Sequence, residues 1–102
     1  AWEENALAID CRVRGLFPWP GCSTLLDGEV LKVFPPVQVI SAGGGTEASP
    51  GTVVEVSPDG ISVATGEGGV LRLTRVQLPG RQALDVDVFL KGRAVEPGTV
   101  LG

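Results

Sequence analysis

The sequence predicts a mostly β domain, a small barrel of short strands with one short helix ahead of it and another near its end. Across 102 residues there are 15 glycines and 8 prolines, a density that favours short strands and tight turns over long helices. Val54 with Val56, Ile61 with Val63, and Leu71 with Leu73 form period-two apolar pairs. Turn signals at Pro58-Asp59-Gly60 and Gly66-Glu67-Gly68-Gly69 separate them, so each strand can turn one face to a common core. Near the start the apolar spacing changes to three and four residues, at Ala6, Ile9, Val13 and Leu16, which marks one helical face.

In order, the spacing predicts an amphipathic helix over Glu3 to Leu16. Glu3 and Glu4 complement the positive end of its dipole, and Arg12 and Arg14 the negative end, as solvated side chains. Phe17-Pro18-Trp19-Pro20-Gly21 must end that helix, because proline fixes its own φ and drives the preceding residue out of helical geometry. The corner is expected to turn the chain into a strand and to anchor itself to the core with both rings. Ser23 to Leu26 and Glu29 to Ile40 flank Asp27-Gly28 as a hairpin. Pro35-Pro36 places the second strand at a sheet edge or bends it sharply. Ser41 to Ser49 has no periodicity and reads as a mobile loop. Its triple glycine is not a phosphate cradle, since no Lys-Ser or Lys-Thr pair follows.

The meander then runs through Val53 to Ser57, Ile61 to Thr65 and Val70 to Leu78. Asp85 is placed to cap a short helix over Val86 to Lys91, with Gly92 just past its end. Val86, Phe89 and Leu90 would plug one end of the barrel. Ala94 to Leu101 is a last extended piece. Pro50-Gly51-Thr52-Val53 recurs as Pro97-Gly98-Thr99-Val100, read as two similar turns because the intervening sequences do not match.

Composition narrows the chemistry. One domain of this length can bury a core without staples. No apolar run approaches the ~20 residues of a membrane helix. There is no histidine, which removes the usual general base and the commonest metal ligand, and no catalytic or metal-binding residue is expected. Cys11 and Cys22 match no zinc spacing and read as buried free thiols of a cytoplasmic protein. The chain has no methionine, and its start at Ala1-Trp2-Glu3-Glu4 reads as a cut inside a longer protein. A net charge of −4 argues against a module that binds nucleic acid tightly on its own.

Arg14 with Phe17-Pro18-Trp19-Pro20-Gly21, Asp27-Gly28 with Leu31-Lys32, and Pro50-Gly51-Thr52-Val53 follow one another in a distinctive order. Asp59-Gly60-Ile61, Val63-Ala64-Thr65-Gly66, Leu71-Arg72-Leu73 before Gln77, Gly80-Arg81, Phe89-Leu90-Lys91-Gly92 and Pro97-Gly98-Thr99 continue it. In that order and spacing, over nearly the whole chain, the sequence resembles the C-terminal domain of the methionyl-tRNA formyltransferase family. Trp2 resembles a tryptophan near that family's interdomain connection, and Cys22 stands where a small residue such as alanine is usual. The resemblance implies an OB-like barrel over residues 1–102. It also implies a parent enzyme that moves a formyl group from 10-formyltetrahydrofolate to the amino group of initiator methionyl-tRNA. The catalytic Asn, His and Asp would belong to an N-terminal domain joined in cis. This chain would then be non-catalytic, bind no cofactor, and act as a monomeric, cytoplasmic tRNA-holding module.

Arg72, Arg75, Arg81, Lys91 and Arg93 are the candidate phosphate contacts, with Lys32 a weaker addition. They hold five of the eight basic residues in the C-terminal third. No aromatic stacking platform is expected. The alternative implied by the same resemblance is the C-terminal barrel of a folate-dependent formyl hydrolase or sugar formyltransferase, a spacer or substrate contact without RNA. A purely structural interaction module is the third reading.

Overall fold

The computed structural model describes residues 2–102 and leaves Ala1 outside. It is mostly β, with six antiparallel strands and two short helices. Helix α1 spans Ala6–Leu16, three residues shorter at its start than the periodicity predicts, because Asn5 caps it. The Asn5 Oδ1 accepts from the Ala8 N–H at 2.8 Å, satisfying a donor that the first helical turn cannot. Glu4 therefore lies ahead of the helix, where its carboxylate takes both terminal nitrogens of Arg12. Arg14 pairs with Asp10 one turn back at 3.1 Å. Neither arginine is simply a solvated dipole partner. The helix stops where predicted, with Phe17 extended (φ −82°, ψ 140°) ahead of Pro18. The Gly21 N–H then closes back onto the Leu16 carbonyl at 2.9 Å.

Strands β1 (Cys22–Leu26) and β2 (Glu29–Ser41) form the expected hairpin. Asp27 and Gly28 both adopt positive φ, 51° and 82°, the pair of left-handed residues that matches the twist of the flanking strands. Strands β3 (Val53–Ser57), β4 (Gly60–Ala64) and β5 (Val70–Gln77) make the meander, and a two-residue β6 (Leu84–Asp85) lies beside β5. The strand order is β1-β2-β5-β4-β3, so the long β2 crosses from its hairpin partner to the last meander strand. Its register against β5 shifts between Phe34 and Val37. Pro35-Pro36 is thus a bulge in a strand paired to β5 on either side of it, the bend rather than a free edge.

Leu31, Val33 and Val37 of β2, Leu71, Leu73 and Val76 of β5, and Ile61 and Val63 of β4 point into one buried core. Ala6 and Val13 of α1 close it on one side. Helix α2 (Val86–Gly92) closes it on another with Val86 and Phe89. Asp85 precedes α2 as expected, but its side chain makes no cap bond; the carboxylate is held by Arg75 at 2.9 Å instead.

One glycine-bearing segment departs from its predicted role, and another keeps its role while adding a contact. The Gly43-Gly44-Gly45 stretch is tied down by the turn before β5. The N–H groups of Gly44, Gly45 and Thr46 donate to the carbonyls of Glu67 and Gly68 at 3.1, 2.7 and 3.2 Å. A Cβ on Gly68 would sit 2.9 Å from the Gly44 nitrogen, so this approach requires the missing side chain. The two Pro-Gly-Thr-Val copies are both turns, closed by Thr52 N–H to Ser49 carbonyl and Thr99 N–H to Glu96 carbonyl, each at 3.1 Å. They also lie against each other in an antiparallel bridge between Thr52 and Val100. The last residues continue from there, and the Gly102 N–H donates to the Leu25 carbonyl of β1 at 2.9 Å.

Candidate nucleic-acid interface

Three of the five predicted phosphate contacts are committed to holding the fold. Apolar Leu71, Leu73 and Val76 of β5 are buried while Arg72, Thr74 and Arg75 are half-buried, so both arginines lie away from the core. Arg72 donates to the Gln38 side chain of β2 at 3.1 Å and lies 3.9 Å from Glu55 of β3. It thereby crosses the outside of the sheet over Ser62, which is buried beneath it in register. Arg75 bonds the Asp85 carboxylate at 2.9 Å and the Ala83 carbonyl at 3.3 Å, which pins β6 to β5. Arg93 donates to Glu29 at 2.9 Å and Asp27 at 3.1 Å, clamping the end of α2 to the β1–β2 hairpin. The Glu29 bond, then the Asp27 bond, holds its guanidinium above the ordinary arginine range.

Arg81 and Lys91 are different. Both are exposed, and among the described residues neither head group enters an ion pair. The Arg81 carbonyl accepts from the Gln77 side chain at 2.5 Å, and Gln77 faces Lys32 in register across the β2–β5 ladder. Lys32 is the third cation without a carboxylate partner. Its Nζ sits 5.5 Å from the centre of the Phe34 ring, a cation–π distance. The five predicted residues therefore separate into three clamps and two free cations, with Lys32 joining the free group.

The proline corner departs most from expectation. Only Phe17 is anchored, edge-on to Phe34 with centroids 6.1 Å apart, and it remains 47% exposed. Trp19 is 84% exposed. Neither ring belongs to the core. Trp2 is the buried tryptophan, with its Nε1 donating to Thr24 Oγ1 at 2.9 Å. Of the two rings, only Trp19 stands between prolines.

The two cysteines are free, Cys11 exposed and Cys22 half-buried, so only the second approaches the expected burial. Cys22 lines an apolar cleft of about 230 Å³ between α1 and the sheet, and burial pushes its thiol above the usual range. Among the described residues no helix is long and apolar enough to cross a membrane.

The sequence is similar to known proteins over almost all of its length. A methionyl-tRNA formyltransferase of Desulforamulus reducens is 44% identical over 101 residues, and one of Gluconacetobacter diazotrophicus 46% over 101. One of Bacillus velezensis is 38% identical over the same length. Each alignment covers 99% of this chain and 31% of the relative, so the chain spans about a third of the proteins it matches. The family described as formyl transferase, C-terminal domain, matches residues 1–94, and the chain belongs to that family.

Proposed function

We propose that this chain is the accessory tRNA-holding domain of a longer, cytoplasmic methionyl-tRNA formyltransferase that uses 10-formyltetrahydrofolate. One observation carries the reading: relatives bearing that name match 99% of the chain at 38–46% identity. The folate and the reacting groups belong to the catalytic domain in cis, and the residues here carry no bond-making step. Their work is orientation. Holding the tRNA body while the methionyl amino group meets the formyl donor replaces a bimolecular encounter with a positioned one.

The same reading treats the sheet as an OB-like barrel, an architecture that presents a curved face to nucleic acid. Residues 98–102 support it by bonding to the start of β3 through Thr99 and Gly98 and to β1 through Gly102, which spans the gap between the two outer strands. Arg81 and Lys91 are the phosphate contacts, since their charge is unspent. Two such cations on a chain of net charge −4 make the domain a weak, salt-sensitive partner of the catalytic domain, and it acts as a monomer.

The test is a salt titration of labelled initiator tRNA against the full-length protein. Arg81→Glu and Lys91→Glu should each weaken binding and lower the salt slope by about 1. Arg93→Gln should leave the slope unchanged, because that cation is already neutralised. Full affinity retained by the double Arg81/Lys91 reversal at low salt would overturn the assignment.

A further inference from the structure

The corner poses a physical question that a turn does not answer. An indole held 84% in solvent leaves a large apolar face wet, at a cost that burial would relieve. Two prolines nonetheless hold it there on a rigid backbone. Beneath it the packing is specific. Gly21 adopts φ +81°, and a Cβ there would come 3.0 Å from the Lys32 Cε, so the glycine lets the lysine stem pass close under the corner. That stem leads to the Nζ over Phe34, and Phe34 in turn meets Phe17. Phe17, Phe34 and Lys32 thus form a base from which Trp19 projects.

The charge around this base is one-sided. The acids nearest in sequence, Asp27 to Trp19 and Glu29 to Lys32, are both taken by Arg93, and Asp85, in register beyond Phe34 and Arg75, is taken by Arg75. Among the described residues the carboxylates outside ion pairs include Glu47, Asp59, Glu67, Asp87 and Glu96, and none of these belongs to the corner, β1 or β2. Lys32 enters no ion pair among the described residues, and the Arg81 backbone lies just beyond Gln77, the register partner of Lys32. An acidic chain has therefore left one cation without a carboxylate partner, Lys32, under the corner that carries its most exposed aromatic ring.

We infer that Trp19 and Lys32 form a contact for an unpaired nucleotide of the bound RNA, the indole stacking on the base and the ammonium meeting its phosphate. A flat π-face with an adjacent cation suits a nucleotide, whose parts are a flat base and an anion. The base must be unpaired, since an A-form duplex keeps its base faces stacked inside. A rigid platform loses little entropy on binding. This inference rests on the tRNA-holding reading and refines it, adding a stacking contact to an electrostatic one.

The experiment uses the full-length protein with labelled initiator tRNA, a short single-stranded RNA and a blunt RNA duplex. Trp19→Ala should weaken tRNA and single-strand binding about 5- to 100-fold, the range for losing one base–aromatic stack. It should leave duplex binding and the salt slope unchanged, and Trp19→Phe should restore most of the affinity. Lys32→Gln should instead lower the salt slope by about 1. If Trp19→Ala binds tRNA within twofold of the parent while the Arg81 and Lys91 reversals weaken it, the inference falls and the tRNA-holding reading stands. Unchanged tRNA binding with a lowered full-length melting temperature would assign the corner to domain docking and overturn the inference. If none of these variants alters tRNA binding, both fall together.

Discussion

The arginines of β5 and the lysine of β2 lie on one ladder yet have opposite fates. Arg72 and Arg75 each reach a carboxylate and a neutral oxygen on neighbouring elements, whereas Lys32 meets only an aromatic ring. Arginine's planar fork spans two acceptors at once and suits the binding together of strands; lysine is a point charge on a flexible stem. Positive charge in this domain is thus divided between construction and contact. Counting cations along the chain cannot separate the two groups, because the partners lie up to 66 residues away.

That division can be tested by substitutions whose effects on stability descend in a fixed order. Leu73→Ala removes a fully buried side chain where β2, β4 and β5 meet. It should cost about 2–5 kcal/mol in a urea unfolding curve, because it leaves a cavity in the core. Arg75→Ala should cost less, about 0.2–1 kcal/mol, since its ion pair is partly exposed, and should free β6 to exchange its amide protons faster. Trp19→Ala should change the unfolding free energy by no more than about 0.5 kcal/mol. A stability loss at Trp19 larger than that at Arg75 would reverse the comparison, making the corner structural and the arginine dispensable.

Local pattern made the element order legible. The three-and-four spacing of Ala6 to Leu16, the Asp27-Gly28 turn and the alternating meander pairs each depend on neighbours close in sequence, and α1, the hairpin, β3, β4, β5 and α2 follow from them. What escaped depends on distant partners. Strand β6 exists where Arg75 grips Asp85, which also takes from α2 the cap that its sequence promised. The glycine loop at 43–45 looks free until the turn at 66–69 supplies its hydrogen-bond acceptors. At the candidate site, Arg81 and Lys91 were legible as cations but not as the unpaired ones. Trp19 was visible as rigid, while its exposure follows from where the bent sheet ends.

The paired Pro-Gly-Thr-Val turns bear on how this molecule lives among copies of itself. Strands β1 and β3 are the two outer strands of the ladder, and an outer strand with open backbone groups invites another chain to pair with it. Thr99 and Gly98 occupy Val53 of β3, while Gly102 occupies the Leu25 carbonyl of β1, so one short segment covers a point on each flank. Each such point is one at which a strand from another molecule finds the backbone groups already taken.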